Sequence, residues 1–121
     1  MTFVVDGQAW RVVRVAPGDP RLVDRTGREK LATTDPLTRT VHISSEVKPP
    51  LLDQVALHEA AHVASMANGT LARLRAVLPP EYWIDAEEWA AQEVELNGIE
   101  AADIATRMLG RPVCVRGHCH D

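Results

Sequence analysis

Cysteine and aromatic residues are scarce in this chain. It has two Cys, one Phe, one Tyr and three Trp in 121 residues. Two cysteines confined to positions 114 and 119 do not make a disulfide framework, so the fold is expected to stand on its apolar core. No segment approaches 18 uninterrupted apolar residues, and the first residues lack the basic start and long apolar stretch of a secretory leader. The expectation is a cytoplasmic protein with no membrane partner. Positive charge is also lacking. Thirteen Lys and Arg against seventeen Asp and Glu leave a net charge of -4, and the basic residues are scattered, which argues against a nucleic-acid partner. No repeat or low-complexity linker divides the chain. With 45% hydrophobic and 25% charged residues it has the composition of one globular domain. We read residues 1–112 as that domain and 113–121 as a tail.

The order of elements is strands first, helices second. Phe3-Val4-Val5 and Ala9 to Val15 flank an Asp6-Gly7 turn signal and predict a hairpin. Turn formers dominate residues 16–31, with room for one brief strand around Leu22-Val23. Residues 38–44 alternate as a strand does, Val41 and Ile43 to one side and His42 to the other. Pro49-Pro50 then suits a helix start and Asn68-Gly69 a helix end, which predicts a helix over 51–67. Further helices are predicted over 70–78, from about 82 to Asn97-Gly98, and over 100–109. This order indicates an α+β fold, with a small antiparallel sheet on one side of the helices.

The chemistry is concentrated in the 51–67 helix. His58-Glu59-Ala60-Ala61-His62 has the spacing HExxH. Four residues along a helix turn by about 40° and rise roughly 6 Å, so both imidazoles can reach one metal ion. Glu59 is placed to reach a water on that ion. This is the arrangement of a zinc metallopeptidase, in which the ion acidifies the water and the glutamate takes its proton. Glu59 and His62 also interrupt an otherwise apolar helix face, and polar groups there need a reason.

A catalytic zinc usually takes three protein ligands, so a third is needed. The sequence after His62 does not continue as HExxHxxGxxH; Met66 and Asn68 occupy the stretch where further ligands would fall. Asp85, Glu87 and Glu88 lie 23 to 26 residues after His62 on a second helix, the gluzincin arrangement, and any of the three is a candidate. Tyr82 and His42 are candidates for stabilising a tetrahedral oxyanion. Trp83 and Trp89 flank the acidic cluster and are candidate cleft walls. Cys114, His118, Cys119 and His120 could bind a second metal, form a bridge, fold over the open zinc position, or simply belong to a frayed end.

HEAAH, preceded by the strand-like Thr40 to Ser45 and followed by an acidic helix, resembles the ImmA/IrrE family of small metallopeptidases, compact relatives of the thermolysin-type zincins. The resemblance covers roughly residues 38–96. It implies a zincin-like fold, a Zn²⁺ cofactor and hydrolysis of peptide bonds in a protein substrate. It also implies a bacterial or phage setting, in which some such proteins cut or bind a transcriptional repressor. In that family the third ligand is a glutamate followed by alanine three residues on and a polar residue four on. Glu88, with Ala91 and Gln92, matches this pattern better than Glu87 does. The implied ligand set is therefore His58, His62 and Glu88, with Glu59 as general base and Gln92 supporting a ligand histidine. If the zincin resemblance holds, the strand carrying His42 is an edge that accepts an extended peptide. The alternative is a regulatory or structural protein that keeps this fold and binds a protein partner without cleaving it.

Overall fold

In the computed structural model, residues 1–120 are described except 25, 68, 98, 116 and 117; for 70, 92–97, 99, 114, 115 and 118–120 the description is of the backbone alone. Strands β1 (Thr2–Val5) and β2 (Gln8–Val15) form the predicted hairpin. Asp6 and Gly7 both have positive φ, 49° and 77°, as a tight two-residue hairpin turn of this hand requires. A 3₁₀ turn follows at Pro20–Leu22, then β3 (Ala32–Asp35) and β4 (Thr40–Ser44). The helices are α1 (Leu51–Ala67), α2 (Thr70–Val77), α3 (Trp83–Asn97) and α4 (Ile99–Leu109), with a 3₁₀ turn at Pro80–Tyr82 leading into α3. Strands β5 (Val113–Val115) and β6 (His118–His120) pair with each other, Cys114 opposite Cys119.

The architecture is α+β, and the four-stranded sheet is mixed, in the order β1-β2-β4-β3. This corrects the expectation of an antiparallel sheet. β2 and β4 run parallel, Val12 against Val41 and Val13 against His42, whereas β1–β2 and β3–β4 are antiparallel. A parallel pair needs a long crossover. The turn-rich segment between β2 and β4 supplies it and inserts β3 on the way back. The turn-rich segment that left room for a brief strand around Leu22-Val23 forms a 3₁₀ turn at Pro20–Leu22, and Val23 makes an isolated bridge to Glu29. Asp19 caps that turn and holds Arg21 by a two-point ion pair. The His42 strand is also not the edge. β4 lies between β2 and β3, all five of its residues are buried, and the edges are β1 and β3.

One core joins the sheet to the helices. Phe3, Val5, Trp10, Val41 and Ile43 pack in one cluster with Ala56, Ala60, Ala61, Val63 and Ala64 of α1 and with Ala101, Ile104, Ala105 and Met108 of α4. Small side chains on both helices allow close approach, and α1 is packed by α4 and α3 while touching β3. Buried alanines thus place α1 deep in the molecule and carry Glu59 and His62 with it. Asp53, in the first turn of α1, receives a two-point ion pair from Arg111 beyond α4. Gly110 ends α4 with φ 70°, and a Cβ there would meet the Met1 side chain at 3.1 Å. Val113 is buried in the same core. Among the described residues, no helix is long and apolar enough to cross a membrane.

Candidate metal centre

The sequence pattern places His58 and His62 on one face of α1, and they converge. Their Nε2 atoms are 3.3 Å apart, with the rings edge to face at 82°. α3 packs on α1 and brings its acidic residues to the same place. Glu88 Oε1 lies 3.5 Å from His62 Nε2, and one donor atom from each of His58, His62 and Glu88 falls within 4.8 Å of the others. This group could hold a metal ion. His62 is buried, His58 half-buried and Glu88 exposed, so the group opens from the protein interior toward solvent.

Glu87, the neighbouring acid, takes another position. Consecutive helix residues diverge by about 100°. Glu87 turns inward, is 3% exposed and lies with Oε1 3.6 Å from His62 Nδ1, the nitrogen on the far side of the ring. Its Oε2 is 3.7 Å from Arg75 Nη2 on α2. Asp85 is exposed and outside the three-residue group.

Glu59 is 5% exposed, and burial pushes its carboxyl above the ordinary carboxylate range. His58 and a hydrogen bond from Thr34 oppose that shift. The hydrogen bond is direct: Thr34 Oγ1 donates to Glu59 Oε1 at 2.9 Å. Thr34 belongs to β3 and pairs with Val41, so its side chain is on the sheet face that meets α1. The edge strand is therefore tied to the helix at the acid of the HExxH. Nothing in the spacing of Thr33-Thr34 signals this contact, because it depends on β3 being an edge strand beside α1.

A cleft of about 950 Å³ opens over these groups. His58, Glu59, His62, Glu87 and Glu88 line it on the helical side, and residues 30–37, including all of β3, line the other. His42 also lines this wide space, but its register with Thr33 turns it to the sheet face away from the Thr34–Glu59 contact. Burial lowers the His42 pKa below its usual value, with the Arg21 charge acting the same way. Tyr82 is exposed and outside the cleft lining, as are Trp83, half-buried against Leu78, and Trp89. The side chains of Gln92, Cys114, His118, Cys119 and His120 lie outside the described residues.

No protein-family model matches the chain, and neither a curated protein nor a solved structure matches it.

Proposed function

We propose that the chain is a zinc-dependent metallopeptidase of gluzincin type, similar to the ImmA/IrrE proteins, that cleaves peptide bonds in a protein substrate. The observation that carries this reading is the convergence of His58, His62 and Glu88 beside a buried Glu59 in an open cleft. The donors suit Zn²⁺. Two nitrogens bound at about 2.0–2.1 Å with tetrahedral angles sit roughly 3.3–3.4 Å apart, and the His58–His62 separation of 3.3 Å agrees. The 3.5 Å between His62 and Glu88 is close to the same edge length, and the exposed Glu88 side chain has freedom to close the remaining one.

Zn²⁺ at these donors would supply Lewis acidity, polarising a substrate carbonyl and acidifying a water. The chain's own residues would then do the following. Glu59 accepts a proton at a carboxylate oxygen as the water adds to the carbonyl carbon, and returns a proton to the departing amine. Thr34 holds one carboxylate oxygen of Glu59 and leaves the other for the proton. β3, an edge strand on the cleft wall, is placed where an extended peptide would pair with its backbone.

The test is zinc content and hydrolysis of fluorescein-labelled casein by wild type, His58→Ala, Glu88→Ala and Glu59→Gln. The two ligand variants should lose zinc, whereas Glu59→Gln should keep it and lose hydrolysis. A wild type that binds no zinc overturns the reading. One that binds zinc and cleaves nothing supports instead a protein that binds its partner without cutting it.

A further inference from the structure

Glu87 is a buried carboxylate that the chemistry above leaves unused. Burying a carboxylate is costly unless something needs its charge there. Here α3 divides its two consecutive acids between the two nitrogens of one imidazole, Glu88 at Nε2 and Glu87 at Nδ1. The nitrogens have different tasks. For Nε2 to offer a lone pair to a metal ion, a neutral ring must carry its proton on Nδ1. A carboxylate facing Nδ1 accepts that proton's hydrogen bond, which fixes both the tautomer and the ring plane and raises the basicity of Nε2.

Glu87 is set in place from the other side as well. Its second oxygen faces Arg75 Nη2 at 3.7 Å, and the Arg75 guanidinium lies over the Trp83 ring, 5.7 Å from its centre. Arg75 comes from α2, so three helices meet at His62: α1 supplies the ring, α3 the carboxylate and α2 the countercharge. The 3.6 Å between Glu87 and Nδ1 exceeds the outer limit of a closed N–H···O bond by about 0.4 Å, so the carboxyl would have to approach by that much to accept the proton.

We propose that Glu87 is a positioning residue: it holds His62 with Nδ1 protonated and Nε2 turned toward His58 and Glu88, while Arg75 neutralises it. This rests on the zinc reading above. It gives Glu87 the support role that the family resemblance assigns to Gln92.

The test is zinc affinity of the full chain, measured by competition with a chromogenic chelator, for wild type, Glu87→Ala, Glu87→Gln and Glu88→Ala, beside urea unfolding of each metal-free protein. Glutamine keeps the volume and one acceptor oxygen, so it separates lost charge from lost packing. Both Glu87 variants are expected to bind zinc about 10–100-fold more weakly, with the metal-free stability of Glu87→Gln near that of wild type. Wild-type affinity in either variant overturns the proposal, as does a matching loss of metal-free stability in Glu87→Gln, which would make the role structural. Zinc retained in Glu88→Ala but abolished in Glu87→Ala overturns it too, by making Glu87 a ligand. Failure of the wild type itself to bind zinc is a different result and removes the underlying metal site.

Discussion

Thr34 Oγ1 donates a 2.9 Å hydrogen bond to Glu59 Oε1 and so joins the edge of the sheet to the buried acid of α1. Glu59 has little water to solvate it, so this donor matters more than a surface one would. Thr34→Val keeps the shape and removes the hydroxyl. It should destabilise the metal-free protein by about 1–3 kcal/mol at neutral pH, the cost of leaving a buried acceptor without its partner. Thr34→Ser should recover most of that. Equal urea midpoints for Val and wild type would show that the carboxylate finds another donor.

Glu59 sets one pH dependence of the metal-free fold. Burial raises its folded pKa above the ordinary 4.5, so the folded chain binds the proton more tightly than the unfolded chain. As pH rises from about 4.5, the unfolded state releases its proton first. The folded state therefore loses relative stability until pH passes the raised value. In the presence of a chelator, Glu59→Gln should remove this decline and be more stable than wild type at neutral pH. Thermal melts of both proteins between pH 4 and 8 check it, and parallel curves would contradict it.

His42 acts with the opposite sign. Burial lowers its folded pKa below the usual 6.5, so the unfolded chain takes up the proton first as pH falls. Stability present above about 6.5 is lost progressively below it. His42 Nδ1 is buried and has no hydrogen-bond partner among the described residues, and its strand is buried throughout. An apolar, strand-favouring residue should therefore do better. His42→Val is expected to gain about 1 kcal/mol at pH 7 and more at pH 5, read from urea unfolding at the two pH values. A variant less stable than wild type at both would mean that His42 has a partner in solution.

These effects show how far local pattern reaches. The bounds of α1 could be read because Pro49-Pro50 and Asn68-Gly69 are local signals, and the β1–β2 hairpin because Asp6-Gly7 is one. The pairing of β2 with β4 could not, since parallel neighbours are chosen by the sheet and not by either strand's own residues. β3 is illegible for the same reason: Ala32–Asp35, bounded by Ala and Asp, has little strand character of its own and gains it beside β4. At the candidate centre, HExxH spacing placed His58, Glu59 and His62 on one helix. The choice between Glu87 and Glu88 depends on the rotation of α3 against α1, which is set by how the two helices pack, with Ala91 of α3 in the cluster of Ala60, Ala61 and Ala64 of α1. The family pattern pointed to Glu88, and the observed rotation turns Glu88 toward Nε2 and Glu87 toward Nδ1.

Zinc should also act as a folding ligand. The candidate donors come from two helices, and among the described residues α3 joins the core cluster of α1 through the small side chain of Ala91. An ion bridging His58 and His62 to Glu88 adds a link that the unfolded chain cannot make in the same geometry. Free zinc at about 100 times its dissociation constant should then raise stability by about 2.7 kcal/mol. The gain should grow with the logarithm of zinc concentration, and His58→Ala should abolish it. Glu59→Gln should retain it, since Glu59 is not among the three donors. Calorimetric melts across a zinc titration measure both. A wild-type melting temperature indifferent to zinc would sink the metal site, whereas a gain that persists in His58→Ala would place the bound zinc elsewhere on the chain.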